Sequence, residues 1–223
     1  MTHPHSHELI PLRQDHAYLR GAPGSAYWSI APHLIQQSTD SSCSLATAVM
    51  LVNAVRGCEG QLRIGPPASE AGLLDRLEDA GWRTSVAQDG EGLSLTEFAA
   101  AMERALQSYG CAESWGVAIQ PVTDAAAAAP ALRATLTAME GDSAGFVAVN
   151  FHLDLFYGDG VDVGHFSPLG AYDGARDLVL MLDVYKKDYE PIWAPLPRLA
   201  KAMATLSRET GEPRGYAVVR RRG

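Results

Sequence analysis

The chain has 223 residues, 47% of them hydrophobic and 20% charged, enough apolar material for one large domain or two small lobes. A formal net charge of −8 argues against a broad basic surface for nucleic acid or anionic membrane. Three cysteines cannot form a fully paired disulfide framework, which fits a reducing compartment. The first eight residues lack the basic and apolar blocks of a signal peptide. The longest apolar stretch, Leu45 to Val55, is interrupted by Thr47 and Asn53 and is too short to span a bilayer. The expectation is a soluble cytoplasmic protein with neither membrane nor nucleic-acid partner.

Residues 1–25, rich in His, Pro and Gly, read as a poorly ordered arm. His3, His5 and His7 alternate there, open to a soft metal ion or to plain solvation. A polar turn, Ser38 to Ser42, leads into Cys43–Gly57, apolar almost all round and therefore a buried helix. Ser41 or Ser42 would cap it and Gly57 would stop it, which puts Cys43 in the first turn. Residues 69–80 suit a short amphipathic helix. Ser94-Leu-Thr-Glu97 is a capping-box pattern opening a helix to about Leu106. Asp124 to Met139 is Ala-rich and helical by propensity, with Pro130 forcing a break or a late start. After Gly141 the pattern changes. Phe146–Phe151, His165–Tyr172, Leu178–Tyr185 and Tyr216–Arg220 read as strands, and Pro195–Leu206 as one more helix. Helices first and strands later predict an α+β domain with an antiparallel sheet.

Four residues carry the chemistry. A thiol at a helix N-terminus, as at Cys43, feels the positive end of the helix dipole, although a cysteine beside an apolar helix also serves as a small buried hydrophobe. Asp173-Gly-Ala-Arg-Asp177 has the composition of a hairpin turn. A hairpin symmetric about Gly174 sets His165 directly opposite Asp183, and a bulge would break that register. Asp183 stands in a strongly apolar run and needs a partner, which His165 supplies; a His–Asp pair that only holds the sheet together is the alternative. A cysteine nucleophile on a helix N-terminus, with a histidine oriented by a carboxylate, is the papain-type arrangement. Gln37, six residues before Cys43, is placed to offer its amide, with the Cys43 N–H, to an oxyanion; Gln36 is its competitor.

At these residues the chain resembles the phytochelatin synthase family. The resemblance rests on Gln37-x5-Cys43 followed by Val49-Met-Leu-Val-Asn-Ala54, on Gly92–Phe98, and on Val149-Asn-Phe151. It continues through Gly164-His-Phe-Ser-Pro-Leu-Gly-Ala-Tyr172, Leu182-Asp-Val184, Lys201-Ala-Met-Ala-Thr205 and Arg214-Gly-Tyr216, and spans about Tyr27 to Val219. It implies a papain-like fold, a helical lobe of about 26–140 and a sheet lobe of about 141–223 forming one catalytic domain, with Cys43, His165 and Asp183 as triad. It also implies acyl transfer on glutathione-like γ-glutamyl peptides. Cys43 attacks the Cys–Gly amide, glycine leaves, and γ-Glu-Cys passes to water or to a peptide amine. No cofactor or metal site is expected; a metal–thiolate complex of glutathione would be substrate. A homodimer is compatible with the reading.

The chain departs from the family in several places. Ser44 stands where Gly usually follows the nucleophile. His152-Leu-Asp154 stands where a basic residue is usual. Ser207 replaces an acidic residue, with Glu209 nearby. Arg214 remains, to pair with a substrate carboxylate or to form a structural salt bridge. Loss of a cation and gain of Asp154 would disfavour a doubly anionic substrate. These departures keep open an amide-forming biosynthetic enzyme with another acyl donor, beside a non-enzymatic thiol- or metal-binding module. Cys58 and Cys111 read as incidental thiols. Asp159 and Asp162 read as a solvated loop, with cation binding or shaping of the substrate entrance as alternatives.

Overall fold

The apolar run at Cys43 becomes the central helix of the protein. In this computed structural model, which describes residues 9–22, 25–140 and 145–222, Cys43–Cys58 is one helix and every residue from Cys43 to Arg56 is buried. In chain order the elements are β1 (Ile10–Pro11), α1 (Ala17–Gly21), α2 (Tyr27–Ile30), α3 (Cys43–Cys58), α4 (Glu70–Leu77), α5 (Ala80–Ser85), α6 (Leu95–Ser108), β2 (Trp115–Pro121) and α7 (Ala125–Met139). They continue with β3 (Gly145–His152), α8 (Leu153–Tyr157), β4 (Gly164–Asp173), β5 (Leu178–Met181), β6 (Ile192–Pro195), α9 (Leu196–Met203) and β7 (Gly215–Arg221).

The strands form one seven-stranded antiparallel sheet of order β1-β6-β5-β4-β3-β7-β2. Both faces are covered. Alternation along β3 sends Phe146 and Ala148 to the face packed by α3 and α6, and Val147, Val149 and Phe151 to the face packed by α7, α8 and α9. The α+β expectation holds, with the antiparallel sheet and the buried N-terminal helix of a papain-like fold.

Local expectations met varied outcomes. The capping box is present in full: Ser94 N–H donates to Glu97 at 2.8 Å and Glu97 N–H to the Ser94 hydroxyl at 3.3 Å. Helix α3 has no side-chain cap, because the Ser42 hydroxyl is used within the preceding turn, accepting from Thr39 N–H at 2.9 Å. The helix also passes Gly57 and ends at Cys58. Helix α7 runs through Pro130, started by Asp124, whose side chain accepts from Ala126 N–H. A proline in the second turn forfeits one main-chain bond, and the surrounding apolar packing of Leu132 and Leu136 offsets it.

Strand β2 was not legible as a strand, and it places residues 115–121 on the sheet beside β7. At the other end, β1 pairs with β6, so residues 10–11 of the expected arm join the sheet. His3, His5 and His7 lie outside the described residues. Among the described residues no helix is long and apolar enough to cross a membrane.

The β4–β5 hairpin differs from the symmetric one. Asp173 pairs with Leu178, and the ladder then shifts by one at Gly170, so that Leu169 faces Met181. Strand β5 ends at Met181 rather than running to Tyr185. Pro168 explains the ending: its carbonyl accepts from Leu182 N–H at 3.1 Å, but it has no N–H to return. A Cβ on Gly170 would lie 2.9 Å from the Leu182 side chain, so the bulge closes around a glycine.

Candidate active site

The bulge decides which way the histidine faces. Ala171 lies on the α3 side of the sheet, yet Leu169 and Tyr172 lie on the α8 side, because Gly170 adds one residue to the alternation. His165, of the same parity as Leu169, therefore turns to the α8 side. Asp183, of the same parity as Val179 and Met181, does so too. The two are not directly opposite. Asp183 stands past the end of β5, one step of alternation from His165. They nevertheless meet, His165 Nε2 lying 2.8 Å from Asp183 Oδ1.

Asp183 is fully buried and surrounded by donors. Its Oδ1 also accepts the Tyr185 N–H at 2.7 Å, and its Oδ2 accepts the Tyr157 hydroxyl at 2.7 Å. Ser167 Oγ lies 3.1 Å from His165 Nε2. The Cys43 sulfur acts on the same imidazole and favours its protonated form. Burial alone would lower the imidazole's pKa, but the Asp183 carboxylate, with the thiol, holds it up at about 10. Phe151 packs edge-on against the ring. The structure thus brings Cys43, His165 and Asp183 together.

Helix α3 is tied to β4 at this point. Thr47 Oγ1, one turn after Cys43, donates to the carbonyl of Phe166, the neighbour of His165, at 3.1 Å. Thr47 sits in an apolar helix, and nothing in the sequence marks it as the link between the two elements.

Gln37 is buried in the turn before α3. Its amide nitrogen donates to the carbonyls of Thr39 at 2.8 Å and Asp40 at 3.2 Å, while its Oε1 is buried without a partner among the described residues. Gln36, the competitor, is directed elsewhere: its Oε1 accepts from Lys187 N–H. The Cys43 N–H, first in the helix, has no acceptor within it.

Cys43 opens into a cleft of about 450 Å³ between the start of α6 with its preceding loop and the β4 and β7 ends. Its lining includes Asn150, Gly164, Ser207 and Arg214, and the carboxylates Asp40, Glu91, Glu97, Glu209 and Glu212. Arg214 is 4% exposed, and burial lowers its pKa. One guanidinium nitrogen, Nη1, bonds Thr205 Oγ1 and the Leu206 carbonyl. Its Nε and Nη2 lie against Gly164, where a Cβ would come within 2.8 Å of Nη2. Among the described residues no carboxylate lies within ion-pair distance of Arg214, and Glu209 and Asp162 act on it at longer range.

The departures from the family pattern have local explanations. Ser44 Oγ accepts from the Trp82 indole at 3.4 Å and is fully buried. Asp154 does not line the cleft; its carboxylate accepts from Gly160 N–H at 2.7 Å and closes the following loop. The expected effect of Asp154 on substrate charge therefore has no contact to act through. Asp159 and Asp162 are engaged internally, Asp159 with the Tyr189 hydroxyl and Asp162 with His152 and Arg208. Among the described residues no group of three or more His, Cys, Asp or Glu could hold a metal ion.

The phytochelatin synthase family profile matches residues 17–216. The chain belongs to the phytochelatin synthase family. Among curated relatives, glutathione gamma-glutamylcysteinyltransferase 3 of Lotus japonicus is 52% identical over 56 residues, 25% of this chain and 12% of that protein. Glutathione gamma-glutamylcysteinyltransferase 1 of Arabidopsis thaliana is 41% identical over 76 residues, 32% of this chain and 16% of its own. The Schizosaccharomyces pombe enzyme of the same name is 34% identical over 56 residues, 25% of this chain and 14% of that one. The matching stretches thus span under a fifth of these phytochelatin synthase relatives' length.

Proposed function

We propose that this chain is a cysteine acyltransferase or hydrolase acting on glutathione-like γ-glutamyl peptides, with residues 26–223 as one catalytic domain. The observation that supports it is the contact chain from a thiol on a helix N-terminus, through a buried imidazole, to a buried carboxylate, at the wall of an open cleft. In the reaction, the Cys43 thiolate attacks the carbonyl of the Cys–Gly amide while the His165 imidazolium holds the proton. The C–N bond breaks, the imidazolium protonates the departing glycine amine, and γ-Glu-Cys remains as a thioester. Water or a peptide amine then attacks the thioester, giving its proton to His165 and releasing the Cys43 sulfur. Asp183 holds the imidazole by Nε2 and balances its charge.

The oxyanion of the tetrahedral intermediate takes the Cys43 N–H and the Gln37 amide, which exchanges its longer bond, to the Asp40 carbonyl, for the new acceptor. Arg214 Nε and Nη2 bind a substrate carboxylate, and Glu209, from the same 207–214 segment lining the cleft, receives an ammonium. Glutathione, free or as a metal–thiolate, fits this pairing as substrate.

Incubation with glutathione tests the reading. Wild-type protein is expected to gain the mass of γ-Glu-Cys on the Cys43 peptide and to release glycine, whereas Cys43→Ala does neither. Full turnover by Cys43→Ala refutes the assignment. The five carboxylates around a single Arg214 favour a second reading, a biosynthetic amide-forming enzyme whose acyl donor carries less negative charge. An acylatable Cys43 that releases no glycine from glutathione selects it.

A further inference from the structure

The carboxylate of Asp183 is held by more than the imidazole. Tyr157 closes helix α8, is buried, and donates its hydroxyl to Asp183 Oδ2 at 2.7 Å. Its ring is clamped: Tyr189 stacks on it with centroids 3.9 Å apart and an interplanar angle of 6°, and Phe156 packs edge-on at 4.9 Å. Tyr189 is in turn fixed by its hydroxyl, which donates to Asp159 in the loop between α8 and β4. The tyrosine therefore reaches Asp183 from an element that contributes neither the thiol nor the histidine.

We propose that Tyr157, held by the Tyr189–Asp159 clamp, is a positioning residue that sets the orientation and basicity of Asp183, and through it the proton affinity of His165. The proposal rests on the functional reading above, in which the Cys43 thiolate and the His165 imidazolium act as a pair. A phenol donating to one oxygen withdraws charge from the whole carboxylate, which weakens the hold of the other oxygen on the imidazolium. Burial, then the Asp183 charge, keeps the phenol itself protonated and donating. The titratable groups facing this cluster are Cys43 from α3, Tyr157 from α8, Asp159 from the following loop, and Tyr185, Asp188 and Tyr189 from the segment after β5.

The test is the pH dependence of Cys43 alkylation by iodoacetamide, followed on the Cys43 peptide by mass spectrometry so that Cys58 and Cys111 are read separately. A Cys–His ion pair gives a plateau of thiolate reactivity that ends on the alkaline side with loss of the imidazolium proton. In Tyr157→Phe that alkaline limb moves to higher pH by about half to one pH unit. With 3-fluorotyrosine at position 157, a near-isostere with a stronger donor, it moves to lower pH. The isostere carries the test if the phenylalanine variant does not fold. Limbs that coincide with wild type in a folded variant, or a shift of the opposite sign, overturn the role of Tyr157 alone. A wild-type profile with no plateau, rising as one simple thiol titration, overturns the Cys43–His165 pair and the functional reading with it.

Discussion

Replacement of Asp183 by Asn retains the volume of the side chain and removes its charge. In the wild type the imidazole of His165, ordinarily near 6.5, is held at about 10. At 1.36 kcal/mol per pH unit, that rise corresponds to at most about 5 kcal/mol of folded-state stability. Loss of one partner from a buried ion pair independently suggests about 3–5 kcal/mol. The sign follows from the raised pKa. The stabilisation is fully present below 6.5, declines as pH rises, and is gone once pH passes about 10. In Asp183→Asn the carboxylate no longer opposes burial, the imidazole stays neutral at pH 7, and this decline disappears. Urea unfolding of both proteins from pH 6 to pH 10 is the assay. The expected result is a wild-type stability that falls by several kcal/mol across the window and a variant stability that is lower at pH 6 and much flatter. Turnover at pH 7 should fall roughly 10²- to 10⁴-fold, as expected when a histidine loses its orienting charge. Parallel stability curves for the two proteins would refute the reasoning, since they would mean that His165 gains nothing from Asp183.

Two further predictions concern the alignment of the site. Thr47→Val keeps the β-branched shape of Thr47 and removes its bond to the Phe166 carbonyl, leaving a buried carbonyl unpaired. It is expected to cost about 1–3 kcal/mol in urea unfolding and to lower kcat more than it raises KM, because it loosens α3 against β4. Gly164→Ala puts a methyl group against the guanidinium of Arg214. KM for glutathione should rise about tenfold or more, while Cys43 alkylation stays at the wild-type rate; an unchanged KM would detach Arg214 from substrate binding.

Much of the candidate site was legible in the sequence, and for identifiable reasons. An apolar run ended by a polar turn had to be a buried helix, so Cys43 had to sit at its N-terminus. A carboxylate in the run Leu-Met-Leu-Asp-Val had to have a partner, because burial without one is too costly. The capping box at Ser94 is local and was readable residue by residue. The tertiary structure decided how these pieces are joined. The hairpin turn does not itself set His165 and Asp183 on one face; the one-residue shift at Gly170 does, and a bulge depends on how two strands and the Leu182 side chain pack. Pro168 ends β5 before Asp183 because the missing N–H matters only once a neighbouring strand asks for it. Tyr157 reaches Asp183 through a short helix whose sequence reads as loop, and Thr47 joins two elements far apart in the chain. Composition and periodicity report what each segment needs to bury. Which distant groups meet to satisfy that need is a property of the assembled sheet and its register.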